Sequence, residues 1–235
     1  MPGVVWLCER GLKRAINQDR AGAFVNGADG LFFVADGLGG HYAGEKASSI
    51  VAEAVERWWK TNCRAFPLED TAGRLQGLLQ GCDRNIRQLT PQGELCGTTV
   101  VLLLIHQHIY TILSVGDSRC YWVPKGWMQL PAQLLTADDV VPEGLPGSGK
   151  LYRALGAGPY GPAAVCSGRI KGPGIFALCT DGVYKACSSN FLRGQFKHAC
   201  RTGKLEPAAI RIEQEICKNG APDNYSLVLV QIKPG

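Results

Sequence analysis

The chain has 235 residues, of which 46% are hydrophobic and 19% are charged, and this globular composition excludes a disordered or fibrous protein. Its length predicts one large domain over residues 1–235 that buries a core without needing cross-links. The net charge of +5 comes without any run of Lys or Arg, so nucleic acid is not an expected partner.

The sequence shows neither a membrane span nor an export signal. Its longest apolar stretch, residues 100–105, is far shorter than the roughly 20 residues that a membrane-spanning helix needs. Residues 1–8 have no basic leader before their apolar residues, so we expect no secretory signal and a cytoplasmic protein. The ten cysteines form no C-x-x-C pair and are therefore expected to be reduced, buried thiols.

Nine short segments predict β-strands, because they are rich in branched and aromatic residues and are bounded by Gly, Asp, Asn or Pro. In chain order they are residues 4–8, 21–25, 31–35, 98–105, 109–115, 119–123, 164–170, 175–179 and 225–232. Only three residues separate the fourth segment from the fifth, and this spacing predicts an antiparallel hairpin.

Four further segments predict helices. They are residues 45–60, 71–89, 190–200 and 207–217, and the first two carry apolar residues at the i, i+3, i+4, i+7 spacing of one helix face. The strands and helix pairs do not alternate regularly, as they would in a parallel sheet. We therefore predict an α+β fold, a four-layer α-β-β-α sandwich of two mainly antiparallel sheets flanked by helix pairs, with a surface loop at residues 131–149.

Four aspartates stand where a predicted strand meets a glycine or a tight turn. Asp36 and Asp181 each follow a strand and precede a glycine, Asp117 follows a strand and a glycine, and Asp223 precedes the last strand. One such aspartate is usually a turn residue, but four brought together would repel each other unless a cation held them. Mg²⁺ and Mn²⁺ prefer oxygen ligands, and the backbone of Gly37 can approach a metal closely. The pattern predicts a magnesium or manganese site.

Seven short motifs follow one another along the chain. They are R-A-I-N-Q-D at residues 14–19, V-A-D-G-L-G-G-H at 34–41 with G-E-K-A-S at 44–48, C-G-T-T at 96–99, V-G-D-S-R at 115–119, R-A-L-G at 153–156, C-T-D-G-V at 179–183 and P-D-N at 222–224. Together they resemble the motif set of the metal-dependent protein phosphatases of type 2C, in the bacterial serine/threonine form. The resemblance spans residues 14–232 and implies one catalytic domain with its site at one edge of two sheets.

The resemblance implies a role for each aspartate in holding two Mn²⁺ or Mg²⁺ ions. Asp36 would bridge the two ions, and Asp181 and Asp223 would hold the first. The carbonyl of Gly37 would help to hold the second ion. Asp117, together with Asp181, would serve a third and weaker ion site.

The resemblance also implies the reaction, in which a hydroxide that bridges the metals attacks the phosphorus of phosphoserine or phosphothreonine directly. Arg14 would bind the substrate phosphate, because the fork of its guanidinium matches phosphate geometry. Asp19 would order a metal-bound water, and His41 is a candidate proton donor to the leaving group.

The sequence departs from the type 2C pattern at two places. Gln18 stands where members often carry Glu, which implies a slightly weaker second ion site. The flap near residues 137–150 is shorter than usual, and Asp138-Asp139 replaces the common Asp-His pair. The flap can supply a ligand to the third ion, so its shortening leaves the occupancy of that site open.

The function that the resemblance implies is hydrolysis of phosphoproteins by a monomeric, cytoplasmic enzyme that opposes a bacterial serine/threonine kinase. Two alternatives stay open: a phosphatase of a small phosphorylated metabolite, and a non-catalytic pseudophosphatase that serves as a scaffold. A shortened flap favours an exposed peptide over an enclosed small ligand. The presence of all four carboxylates argues against a pseudophosphatase.

Overall fold

The structure, a computed structural model, describes residues 2–39, 43–65, 69–89, 96–126, 131–159 and 161–233. The first half of the chain forms β1 (Gly3–Glu9), β2 (Asp19–Asn26), β3 (Asp29–Gly39), α1 (Ala43–Asn62), α2 (Thr71–Leu89), β4 (Cys96–Thr98), β5 (Val100–His106) and β6 (Ile109–Val115). The second half forms β7 (Arg119–Pro124), β8 (Gln133–Leu134), β9 (Ala164–Arg169), β10 (Gly174–Cys179), α3 (Asp181–Tyr184), α4 (Ser189–Thr202), α5 (Leu205–Lys218) and β11 (Tyr225–Ile232).

These strands form two sheets in which every pairing is antiparallel. The first sheet has the order β1-β11-β10-β7-β8. The second sheet has the order β2-β3-β5-β6-β9, with β4 paired to the end of β3. The predicted hairpin is β5-β6, and it turns between His106 and Ile109.

Three layers of buried apolar residues hold the fold together. One lies between the first sheet and the pair α4 and α5, a second lies between the second sheet and the pair α1 and α2, and the third lies between the sheets. Side chains alternate along each strand, so Leu31 and Phe33 of β3 face the helices while Phe32 and Val34 face the other sheet. The predicted four-layer α-β-β-α sandwich is confirmed.

The helices form where their sequences give them an apolar face and defined ends. Along α1 the residues Ala47, Val51 and Val55 recur at every fourth position and are fully buried. The hydroxyl oxygen of Ser188 accepts a hydrogen bond from the Phe191 amide and caps α4, and Gly203 ends α4 in the left-handed conformation. No helix of the described residues is long and apolar enough to cross a membrane.

Some elements differ from their predicted forms. The predicted strand 31–35 continues to residue 39, because residues 37–39 pair with β4. The sequence predicted that Asp36 follows the end of this strand. In the structure Asp36 lies within the strand. The predicted strand 98–105 is divided at Thr99, whose amide donates to the Asp36 carbonyl at 2.8 Å. The short elements β8 and α3 were not predicted, since neither is long enough to show a periodic pattern.

Candidate active site

A cavity of about 450 Å³ lies where strands of both sheets end. Six of the eight residues that the sequence singled out for catalysis or metal binding line it: Arg14, Asp36, Gly37, Asp117, Asp181 and Asp223. The seventh, Asp19, is fully buried in β2, opposite Asp36 in the strand register. His41 lies outside the described residues.

Strand alternation aims the acidic side chains into the space between the sheets. Asp36 follows Phe32 and Val34 at two-residue intervals on β3, so it shares their inward face. By the same spacing, Asp19 lies on the inward face of β2, which carries Ala21 and Ala23. The apolar layer between the sheets is therefore replaced by carboxylates at one edge.

The backbone of Asp36 is braced by the C-G-T-T motif. The Asp36 amide donates to the Thr99 hydroxyl at 3.1 Å, and the Thr98 hydroxyl donates to the Asp36 carbonyl at 3.0 Å. The Thr99 hydroxyl also shares a 2.7 Å hydrogen bond with the Ser118 hydroxyl, beside Asp117. Thr98 and Thr99 thus connect strand β3 at Asp36 to the loop that carries Asp117.

Gly37 occupies a place where no side chain fits. A Cβ atom there would lie 2.2 Å from the Gly44 carbonyl oxygen and 2.6 Å from that of Gln18, far inside contact distance. The Gly37 amide donates to the same Gln18 carbonyl at 3.1 Å. The glycine therefore brings the backbone next to Asp36 against two neighbouring segments at the cavity wall.

Asn224 holds the loop that carries Arg14. Its side-chain amide donates to the carbonyls of Arg10 and Ile16 at 2.7 and 3.0 Å, and its carbonyl oxygen accepts from the Gln18 amide at 2.9 Å. Arg14 then reaches the Asp223 carboxylate, with Nη2 at 2.7 Å from Oδ2. The Arg14 side chain stays 50% exposed, so part of its guanidinium faces the open cavity.

Asp19 ties the two sheets together behind the cavity. Its Oδ2 atom accepts hydrogen bonds from the hydroxyls of Thr180 and Ser226, both at 2.8 Å. Thr180 directly follows β10 and Ser226 lies in β11, so both belong to the first sheet's side of the core, whereas Asp19 lies in the second sheet. Its Oδ1 atom is buried and has no protein hydrogen-bond partner among the described residues. Burial raises the pKa of Asp19 to about 7, although the two hydroxyls act to lower it.

The carboxyl groups of Asp36 and Asp181 line the same cavity. Loss of solvation, followed by the charges of Asp19 and Asp181, raises the pKa of Asp36 well above its ordinary value. Burial and the charge of Asp181 also raise the pKa of Asp117. Raised pKa values in one acidic cavity mean that the site disfavours its own negative charge and favours a cation.

Asp117 is held from the side of the flap. The Tyr184 hydroxyl donates to the Asp117 carbonyl at 3.0 Å, and the guanidinium of Arg119 lies 3.8 Å from the centre of the Tyr184 ring. Arg119 in turn binds Asp138, with Nη2 at 2.7 Å from Oδ2. A chain of contacts therefore joins the base of the flap to the loop that carries Asp117.

Asp139 fastens the flap itself. Its Oδ2 atom accepts from the Gly116 amide at 2.9 Å and from Arg153 Nε at 3.0 Å, so the loop after β6 and the R-A-L-G turn share one carboxylate. Residues 137–150 contain no helix and no strand, and their far end, at Gly149 and Lys150, lines the cavity.

The donor set fits divalent cations that keep part of their water. No three Asp, Glu, His or Cys side chains of the described residues stand close enough to form a ready-made metal cage. The Oδ2 atoms of Asp223 and Asp181 are bound by Arg14 and Lys185. Several carboxyl groups around one cavity, a buried Asp19 oxygen without a protein hydrogen-bond partner among the described residues, and a backbone carbonyl are nevertheless the oxygen donors that partly hydrated Mg²⁺ or Mn²⁺ uses.

The sequence model of the family described as Protein phosphatase 2C matches residues 12–138, which is more than half of the chain. The chain belongs to the protein phosphatase 2C family. The predicted resemblance is confirmed, and six of the seven motifs that carried it contribute residues to the lining of one cavity.

Bacterial relatives of the protein phosphatase 2C family resemble the chain along most of its length. The Serine/threonine phosphatase stp of Listeria innocua is 29% identical over 190 residues, covering 74% of this chain and 75% of that protein. The Serine/threonine protein phosphatase PstP of Mycobacterium tuberculosis is 26% identical over 241 residues, covering 95% of this chain but only 44% of PstP. The crystal structure of the PstP catalytic domain in complex with two manganese ions has a TM-score of 0.78 and 23% identity, covering 99% of this chain and 98% of that one. This last likeness shows a shared fold.

Two residues of this protein phosphatase 2C site were missed from the sequence. Lys185 lines the cavity and binds Asp181, and Tyr184 supports Asp117. Both follow the T-D-G-V motif directly, and their only signal was their spacing from Asp181, because residues three and four positions along a helix return to the same face.

A second, larger cavity lies away from this site. It measures about 790 Å³, lies at the opposite ends of β7 and β10, and is bordered by Lys125, Lys197, His198 and Arg201. Among the described residues that border it there is no carboxylate, the donor that divalent cations prefer.

Proposed function

We propose that the chain is a metal-dependent protein serine/threonine phosphatase that hydrolyses phosphoserine and phosphothreonine. The observation that carries the proposal is the single cavity lined by Asp36, Asp117, Asp181 and Asp223 beside the exposed part of Arg14. The names and the manganese complex of the relatives support the same activity and the same metal class.

In this proposal Asp36, Asp181, Asp223 and the Gly37 carbonyl hold two Mn²⁺ or Mg²⁺ ions, and Asp117 serves a third, weaker site. Bound divalent cations would supply an activated water and offset charge on the phosphoryl oxygens. Asp19, buried and held by two hydroxyls, orients water at the inner side of the site.

Arg14 has the geometry of a phosphate clamp. Its Nη2 atom is occupied by Asp223, but the exposed half of the side chain leaves other N–H groups for two phosphoryl oxygens. Asp223 raises the pKa of Arg14 through its hydrogen bond, so the clamp keeps its charge throughout the pH range in which the substrate is a dianion. The developing charge in phosphoryl transfer is thereby met by a fixed cation.

The cavity favours a peptide substrate over an enclosed metabolite. It has one wall formed by an exposed loop, where Gly149 and Lys150 stand, so a phosphorylated side chain can enter while its backbone stays outside. We also propose that the protein acts as a monomer and opposes a serine/threonine kinase, since its substrate is the product of such an enzyme.

The test is hydrolysis of a phosphothreonine peptide by the purified protein, with Mn²⁺ titrated in and a chelator added afterwards. Activity is expected to require metal and to fall at least 100-fold in Asp36→Asn and Asp181→Asn. Asp29→Asn makes the same change on the same strand as Asp36 but far from the cavity, and should keep activity. If the protein hydrolyses small phosphorylated metabolites but no phosphopeptide, its substrate is a metabolite and not a protein. A folded wild type that hydrolyses neither would contradict the proposal.

A further inference from the structure

The second cavity, of about 790 Å³, lies at the ends of β7 and β10 that are farthest from the acidic cavity. We call it the basic cavity, because its lining includes three permanent cations and a histidine: Lys125, Lys197, Arg201 and His198. No ion pair joins any of these four side chains to a carboxylate within the described ranges of the chain. Their positive charge is therefore available to an anionic ligand.

Hydrogen bonds join the walls of the basic cavity to each other. On one side the Cys200 thiol of α4 donates to the Val123 carbonyl of β7 at 3.4 Å. On the other side the Lys125 amide donates to the Pro173 carbonyl at 2.8 Å, which ties the chain after β7 to the chain before β10. Val123 and Cys200 are buried, so the interior is apolar, while the Lys125 side chain is exposed at the rim. The cavity is therefore formed before any ligand binds.

Helix α4 lines the basic cavity with one face. Its lining residues include four at the i, i+3, i+4, i+7 spacing of such a face: Gly194, Lys197, His198 and Arg201. Gly194 leaves the start of this face open, because nothing lies within 4 Å of the Cβ atom that another residue would have there. Lys197 and Arg201 are four residues apart, which separates them by about 6 Å along the helix axis.

This spacing matches an extended acidic peptide. Alternate side chains of an extended chain point to the same side and are about 6.6 Å apart, so carboxylates at alternate positions can pair with Lys197 and Arg201 in turn. Lys125 belongs to the other wall and can pair with a carboxylate that points the opposite way. A nucleotide, by contrast, concentrates its charge on adjacent phosphates and would meet only one end of this row of cations.

We propose that the basic cavity binds an extended acidic segment of a phosphoprotein and holds this substrate while its phosphorylated residue enters the acidic cavity. Arg119 and Pro124 stand at the two ends of β7, so the cavities are about 17 Å apart along this strand at about 3.3 Å per residue. Binding at one cavity raises the effective concentration of the linked phosphorylated residue at the other. This docking role rests on the proposed function, because it assumes that the acidic segment belongs to a substrate of the phosphatase.

Binding is measured first, without any phosphorylated residue. The probe is a fluorescein-labelled peptide of about eight residues in which Glu and Val alternate, and its fluorescence anisotropy is followed as protein is added. The double variant Lys197→Gln/Arg201→Gln should bind about fivefold more weakly than the wild type, because both lost cations face the peptide. The matched control Arg193→Gln/Lys204→Gln removes the same charge from exposed positions outside the lining, and should bind like the wild type.

Gly194→Trp blocks the basic cavity without removing a charge. Its indole fills the open start of the α4 face, so the labelled peptide should no longer bind although every cation remains. Circular dichroism checks that each variant is folded. Peptide binding that neither Gly194→Trp nor the double variant weakens would overturn the proposal, as would a wild type that binds ATP but not the peptide.

Kinetics then test the docking role. Two phosphothreonine peptides are compared, one of which carries the acidic segment about ten residues from the phosphothreonine, at the end of a linker that spans at most about 35 Å. The acidic segment should lower the KM of the wild type several-fold and leave kcat unchanged, whereas Gly194→Trp should show the same KM for both peptides. An acidic segment that leaves the KM of the wild type unchanged would overturn the docking role.

Failure of this proposal and failure of the proposed function look different. A wild type that binds the labelled peptide through these residues but hydrolyses no phosphopeptide contradicts the proposed function, while the peptide site itself is confirmed. An active phosphatase that does not bind the labelled peptide contradicts only the peptide site.

Discussion

At the scale of single residues, the carboxylates of the cavity depend on glycines that admit no side chain. Gly182 follows Asp181, and a Cβ atom there would lie 1.9 Å from the carbonyl oxygen of Asn224. Since Asn224 also holds the loop of Arg14, one close backbone contact joins three parts of the site.

The same substitution at two glycines is expected to have opposite effects. Gly182→Ala should destabilise the protein by about 2–3 kcal/mol, because the backbone of Asn224 must move, and should lower activity as well. Gly194→Ala lies inside α4 with nothing within 4 Å of the new Cβ, and should stabilise by about 0.5–1 kcal/mol. Urea denaturation measures both changes, and a neutral Gly182→Ala would show that this contact does not constrain the site.

The motif residues could be predicted from the sequence because each combines an aspartate or arginine with a glycine, threonine or asparagine at fixed spacing. Their roles toward metal and phosphate stay predictions. Lys185 could not be predicted, because a lysine four residues after an aspartate is common on exposed helix surfaces. Its inward direction depends on α3 being only four residues long and lying over the cavity.

At the scale of elements, the flap is short but firmly attached at its base. Asp138 binds Arg119, and Asp139 receives the amide of Gly116 and the guanidinium of Arg153. A second attachment comes from the backbone, where Asp139 and Tyr152 are bonded at 3.0 Å. The flap therefore leaves its tip exposed while its two ends stay beside the site.

Removing the Asp139 carboxylate should loosen the flap before it unfolds the protein. Asp139→Ala leaves the Nε atom of the half-buried Arg153 and the Gly116 amide without their acceptor, at a cost of about 1–3 kcal/mol. Trypsin should then cut after Lys150 or Arg153 several times faster than in the wild type, as gel electrophoresis would show. Glu143→Ala removes an exposed carboxylate of the same flap and serves as the control. Equal cleavage rates in the two variants would contradict the anchoring role.

The longer helices and strands could be predicted from the sequence, and the shorter ones could not. The stripes of α1 and α2 and the apolar runs of the strands are long enough to show their period. The continuation of β3 through Asp36 was missed because it depends on pairing with β4, more than fifty residues later in the chain. A pairing at that distance leaves no trace in a local pattern.

At the scale of the whole molecule, the carboxylates of the acidic cavity repel one another across the boundary between the two sheets. Asp36 belongs to the second sheet, while Asp181 and Asp223 adjoin β10 and β11 of the first. Without metal these carboxylates oppose the contact that the apolar layer between the sheets makes favourable.

Removal of one carboxylate should therefore stabilise the metal-free protein. Asp36→Asn keeps the side-chain shape and should raise the melting temperature in chelator by roughly 2–4 °C, which corresponds to about 1 kcal/mol for a chain of this size. Added Mn²⁺ should raise the melting temperature of the wild type but not of this variant. In the wild type the metal joins ligands that are attached to both sheets, whereas the variant lacks the Asp36 carboxylate from the second sheet. Differential scanning calorimetry checks both results, and a lower melting temperature of the metal-free variant would contradict this repulsion.

The position of β11 has a consequence for folding while the protein is synthesised on the ribosome. This strand lies between β1 and β10, and Asp223 and Asn224 immediately precede it. Synthesis proceeds from the amino end, so β1 is complete more than two hundred residues before its neighbour exists. Until β11 has emerged from the ribosome, the first sheet lacks the strand between β1 and β10, and the cavity is incomplete. The nascent chain therefore cannot act on phosphoproteins near the ribosome before that point.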